Sequence, residues 1–152
     1  MIDAKIGRIK RNSERKTVRR GVAEGRLMGG NLGCMLKLAG TRYFPDFTDS
    51  ILFVEAYEIT PQGCDSAFNQ LKQIGVFGKI RGVIVGHVYS LQVSEKKMPQ
   101  MEDILLKVTK EYNFPILKMN DFGHNCPNRS CRSEPKQDLT LITKNSKSWR
   151  DV

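Results

Sequence analysis

Ile51-Leu52-Phe53-Val54-Glu55 and, further along, Gly82-Val83-Ile84-Val85-Gly86 decide how this chain folds. Continuous runs of branched and aromatic residues this short read as strands buried on both faces. Between them, Thr60-Pro61 reads as a helix cap followed by proline at the first helical position. Cys64, Ala67, Phe68 and Leu71 then recur at helical spacing, and Gly75 stops the helix. A buried strand, a helix and a second buried strand predict an α/β (α+β) domain.

The reading extends outward in both directions. Asn31 fits a helix N-cap, with Leu32, Met35, Leu36 and Ala39 on one face and Gly40 at the end. Just before it, the segment from Val22 to Leu32 contains Gly25, Gly29 and Gly30 and reads as a glycine-rich turn. On the other side, Pro99 opens a helix with Met101, Ile104, Leu105, Val108 and Tyr112 on one face, ending before Pro115. Ile116-Leu117 is a short strand leading into Asp121-Phe122-Gly123-His124, and Leu139 to Thr143 forms a last strand. Order is expected to begin near Val18. This divides the chain into a basic arm or remnant connection over 1–17, one domain over 18–143 and a basic tail over 144–152.

Charge supports that division. Residues 1–20 carry eight basic and two acidic side chains, residues 21–128 eleven of each, and residues 129–152 six and three. The body is neutral and the ends are basic, so the net charge of +9 does not describe a basic face built into a fold. Nucleic acid is therefore not an expected partner. No apolar run approaches the roughly 18 residues that span a bilayer, so no membrane role is expected. The start, Met-Ile-Asp-Ala-Lys, has no apolar segment of a secretory signal, and a cytoplasmic location with reduced thiols is the expectation.

Two residues stand where chemistry is commonly held. Glu55 ends a buried strand, where a rigid element fixes a side chain while the end stays open. His124 follows Phe122-Gly123 on a loop, and histidine is the usual general base near neutral pH. On position alone, an exposed carboxylate and a surface-loop histidine are the plainer readings. His87, after Gly86, has less loop chemistry around it. His124, Cys126 and Cys131 form an H-x-C-x4-C cluster that lacks the fourth ligand of structural zinc unless Cys34 or Cys64 folds in, so no metal and no cofactor are expected. The Gly29-Gly30-Asn31 turn lacks the lysine of a P-loop and the glycine spacing of a dinucleotide fold. No G-x-S-x-G elbow occurs, but a glutamate followed by a histidine fits the Ser…Glu…His order of some hydrolases, with the serine lying before residue 1.

That order and a series of motifs resemble the C-terminal half of the LD-carboxypeptidase family of serine peptidases, which includes muramoyltetrapeptide carboxypeptidases and microcin C immunity peptidases. The motifs are Gly25-Arg26-Leu27-Met28-Gly29-Gly30-Asn31-Leu32, Leu38-Ala39-Gly40-Thr41-Arg42-Tyr43-Phe44-Pro45-Asp46, Ile51 to Glu55, Gln70-Leu71, Gly75-Val76-Phe77, Gly82 to Gly86 and Phe122-Gly123-His124. They stand in family order from about residue 18 to 127. The Gly-Thr-Arg-Tyr-Phe-Pro-Asp run looks most like the microcin-immunity branch. The resemblance implies a swivelling β-barrel-like domain with flanking helices. It implies Glu55 and His124 as the catalytic pair of a Ser-Glu-His triad and Asn31 beside the substrate cleft. It implies a peptide substrate and, as partner, an N-terminal domain that supplies the serine and the oxyanion hole. That domain is missing here, so the chain alone is expected to be inactive and to associate with itself as a homodimer through the uncovered apolar surface. After Pro127 the chain departs from the family, reading Arg129-Ser130-Cys131-Arg132-Ser133-Glu134-Pro135 in place of an apolar strand. The alternative to a half-enzyme is a non-catalytic module that binds peptide or a partner domain through the same cleft.

Zinc gives a direct check. Three candidate ligands in a polar tail do not close a tetrahedral site. Chain purified without chelator is expected to contain no stoichiometric zinc by elemental analysis, and one zinc per chain would overturn that expectation.

Overall fold

A computed structural model describes residues 13–94, 97–124 and, as backbone, 138–143. Its centre is the pair of strands expected from the apolar runs. They belong to a six-stranded mixed sheet formed by β1 (Arg15–Arg19), β2 (Gly21–Asn31), β3 (Ser50–Ala56), β4 (Gly82–Val88), β5 (Ile116–Met119) and β6 (Asp138–Thr143). The order across the sheet is β1-β5-β4-β3-β2-β6. β2, β3, β4 and β5 run parallel, and the edge strands β1 and β6 pair antiparallel with β5 and β2. This is the α/β class expected, and the form the sheet with flanking helices takes.

Four helices connect the strands: α1 (Leu32–Leu36), α2 (Pro61–Gln73), α3 (Tyr89–Gln92) and α4 (Met101–Val108). Each parallel strand lies beside the one before it, so the crossovers all step the same way. Crossovers of one hand stepping in one direction put their helices on one face. The main core accordingly joins Leu52, Val54, Val83, Val85 and Ile116 of the sheet to Phe68, Leu71, Leu105 and Val108 of the helices. Ile51, Ile84 and Leu117 alternate onto the opposite face, where Phe53, Met119 and Phe122 pack on them. No helix covers that face among the described residues.

α2 forms as its sequence dictates. Thr60 Oγ1 accepts from the Gly63 N–H at 3.0 Å, Pro61 opens the helix, and Cys64, Phe68 and Leu71 are buried. Burial pushes the Cys64 thiol up to about 12, so it packs as a small apolar group. α4 is set by the Gln100 N–H donating to the Asp103 carboxylate at 3.2 Å. It ends at Val108, short of Tyr112, because the Thr109 hydroxyl turns back to the Leu105 carbonyl at 2.7 Å and the next turn opens. α1 likewise ends at Leu36. Residues 37–40 continue as tighter turns, with Leu38 N–H on the Met35 carbonyl and Ala39 N–H on that of Leu36.

Two expectations are corrected. The segment from Val22 to Asn31 is not a turn but most of the longest strand of the sheet. Its glycines permit close approach to β3: a Cβ on Gly29 would lie 1.9 Å from the Phe53 carbonyl oxygen, and one on Gly25 2.3 Å from that of Asp49. Order also begins before Val18. Arg15 to Arg19 pair with β5, and Arg19 reaches over the core to donate to the Thr109 carbonyl at 2.7 Å.

Gly29 and Gly30 separate space from backbone strain. Both have positive φ, 143° and 153°, but a Cβ on Gly30 meets nothing within 4 Å. Gly30→Ala is expected to cost about 1–3 kcal/mol for its backbone conformation. Gly29→Ala must also push β2 off β3 and is expected to cost more by a further ~1–3 kcal/mol, the range for overpacking. Equal costs in urea unfolding would contradict this account.

Candidate active site

The carboxyl ends of the parallel strands gather the residues singled out in the sequence. Asn31 is the last residue of β2, and Glu55 stands one before the end of β3. In the parallel register Asn31 lies directly beside Glu55. His124 follows β5 on the turn formed by Asp121 to His124. Open α/β sheets commonly hold their ligands at this edge.

His124 Nδ1 lies 2.7 Å from Glu55 Oε2. A carboxylate accepts, so Nδ1 carries the proton and the neutral imidazole keeps its lone pair on Nε2. Nε2 has no hydrogen-bond partner among the described residues, and the imidazole is half exposed while the Glu55 side chain is 10% exposed. The second Glu55 oxygen accepts from Asn31 Nδ2 at 3.1 Å. The Asn31 amide cannot turn round, because its Oδ1 accepts from the Cys34 N–H at 3.0 Å as the N-cap of α1. One side chain thus caps a helix and holds a buried carboxylate. Tyr57 lies against the imidazole, ring centroids 5.3 Å apart, and is itself stacked on Tyr89 at 5.2 Å.

The turn that carries His124 is fitted to β4. The Phe122 ring fills the space beside Gly86, where a Cβ would come within 2.4 Å of it, and meets Phe53 edge-on at 5.6 Å. Gly123, at φ 128°, passes the His87 carbonyl where a Cβ would lie 2.7 Å away. The glycine in Phe122-Gly123-His124 is thus required by a close approach that the sequence alone did not reveal.

All three residues singled out, Asn31, Glu55 and His124, form one hydrogen-bonded chain. Of the zinc candidates, Cys126 and Cys131 lie outside the described residues, Cys34 is exposed and Cys64 is buried in the helix-side core. Among the described residues no group of three metal-ligating side chains converges. None of their helices is long and apolar enough to cross a membrane.

A buried carboxylate hydrogen-bonded to a half-exposed imidazole thus stands at the open end of the parallel sheet. Residues 24–134 match the LD-carboxypeptidase C-terminal domain, and the chain belongs to that family. A probable murein peptide carboxypeptidase of Bacillus subtilis is 31% identical over 108 residues, which are 70% of this chain and 34% of that protein. The microcin C7 self-immunity protein MccF of Escherichia coli is 29% identical over 109 residues, 70% of this chain and 31% of that one. The structure of wild-type MccF without ligand superposes with a TM-score of 0.66 at 26% identity, covering 91% of this chain and 39% of that one. A muramoyltetrapeptide carboxypeptidase from Oxalobacter formigenes superposes at 0.71 and, at 24% identity, shows likeness of fold, covering 88% of this chain and 47% of that one. The chain thus spans about a third of the length of the two curated relatives described.

The amide of Asn31 makes a testable contact. Asn31→Asp keeps a helix cap but sets a second carboxylate against Glu55. Like charges this close raise one carboxyl's affinity for a proton in the folded state, so stability is present at low pH and lost as pH rises. Asn31→Asp is expected to gain stability relative to the parent on acidification from about pH 7 to about pH 5, the range in which a raised carboxyl titrates. A pH-independent difference in urea midpoint would refute the contact.

Proposed function

We propose that this domain supplies the glutamate and histidine of a Ser-Glu-His triad in a serine carboxypeptidase that cleaves amide bonds of murein-peptide or microcin type. The observation that carries the reading is the 2.7 Å contact from Nδ1 of His124 to Glu55, with Nε2 left without a described partner on a half-exposed ring. In this reading His124 Nε2 takes the proton of a serine hydroxyl as it attacks the scissile carbonyl, then returns it to the leaving amine. Glu55 holds the imidazole in the correct tautomer and stabilises the imidazolium. Asn31 keeps Glu55 in place, and its second Nδ2 proton, unused among the described residues, is left for a substrate acceptor. The serine and the oxyanion donors come from an N-terminal nucleophile domain, the partner of this one. The names of the murein peptide carboxypeptidase and the microcin immunity protein support the substrate class.

The test is reconstitution. The chain alone is expected to release no amino acid from a murein tetrapeptide, and the chain with a family nucleophile domain, fused or co-expressed, is expected to release the terminal residue. Glu55→Gln in the pair is expected to lower kcat by about 10⁴, the loss seen when a triad carboxylate becomes an amide, with little change in KM. Turnover by the chain alone that His124→Ala abolishes would show that it carries its own nucleophile. A pair indifferent to His124→Ala, or one that associates but hydrolyses nothing, would remove the triad roles.

A further inference from the structure

The sheet has one irregularity in its parallel core, and it lies at the candidate site. Val54 pairs with Val85 and Ala56 with Val88, so Gly86 and His87 of β4 together oppose the single residue Glu55. An extra residue in one strand bends it and re-aims its side chains. The Gly86 carbonyl freed by the bulge accepts from the ammonium of buried Lys118, which also donates to Asn120 Oδ1 at 2.8 Å. His87 lies against the turn after β5 that carries His124, and it holds that turn twice. Its backbone N–H donates to the Phe122 carbonyl at 2.9 Å, and its Nδ1 lies 3.0 Å from the backbone oxygen of His124. A carbonyl only accepts, so His87 Nδ1 is protonated and donates.

We propose that His87 is a positioning residue for His124: the bulge at Gly86-His87 aims its imidazole at the His124 carbonyl and so sets the ring of His124 against Glu55. The backbone of His124 is then anchored to β4 through His87, and its side chain to β3 through Glu55. The two anchors act on different parts of one residue, the first on its carbonyl and the second on its ring. The importance assigned to this placement rests on the triad reading, but the placement itself does not.

The experiment reads the His124 Nδ1–H proton by NMR in the isotopically labelled full chain, without any assay of activity. Glu55→Gln and His124→Ala assign the signal. His87→Leu removes the donor. His87→Asn offers an amide N–H where Nδ1 stood, whereas His87→Gln places its amide one bond further out. His87→Leu and His87→Gln are expected to speed solvent exchange of the His124 signal by about five- to tenfold, the factor implied by losing one ordinary hydrogen bond. His87→Asn is expected to restore the parent rate. If His87→Leu fails to fold, the comparison of Asn with Gln decides alone. Parent-like exchange in all folded variants, or equal loss in Asn and Gln, would overturn the proposal. In a reconstituted enzyme, His87→Leu is expected to lower kcat by about 10- to 100-fold, the cost of a small misplacement, with KM unchanged. Altered exchange without any enzyme activity in the parent pair would sink the triad reading and leave the positioning role intact.

Discussion

A carboxylate that is nine-tenths buried has to be satisfied on both oxygens, and Glu55 imposes that requirement on the whole carboxyl edge of the sheet. Asn31 answers from β2 and His124 from the turn after β5. An isolated buried charge would cost far more than any one contact returns, so the strands that bring these partners must be held in register. The parallel pairing of Asn31 with Glu55 is such a register, and one step of slip would put Gly30 beside the carboxylate. The glycines of β2 serve the same end. They let its backbone close on β3 so tightly that a methyl group at position 29 has no room.

The helices contribute from the other side. By lying on one face they leave the opposite face of β3 and β4 free to receive Phe122. The ring anchors on Phe53 and in the gap above Gly86, and this carries the following two residues to the edge. The site thus rests on rigid strands at Asn31, Glu55 and His87, with one short turn docked onto them. Rigid elements hold a constellation more closely than loops can.

Legibility in the sequence followed burial. β3, β4 and α2 could be read because both faces of the strands and one full stripe of the helix are apolar. β1 could not, because Arg15-Lys16-Thr17-Val18-Arg19 is an edge strand whose contribution is mainly backbone pairing, and basic side chains resemble those of an arm. β2 was masked by glycines whose reason lies in the neighbouring strand. Glu55 and His124 were visible as a strand end and a glycine loop, and the resemblance joined them, but 69 residues separate them and no local pattern predicts the 2.7 Å contact. His87 was passed over because its neighbours in sequence say nothing of the bulge. A G-H pair ending a buried run was the only available signal, and it is a weak one.

The antiparallel pairing of β6 with β2 has a consequence for how the molecule comes into being. Gly21 is matched with Thr143, so the outer edge of β2 finds its partner only after almost all of the described chain has been made. During synthesis the parallel strands can assemble in order, each beside the last, while β2 waits with a row of unpaired amides and carbonyls. Such an edge invites pairing with other chains, and long-range closure is slow. The interval between completing β5 and closing β6 is therefore the period in which a nascent chain is most exposed to misassembly, and the ribosome's pace over the residues between them sets how long it lasts.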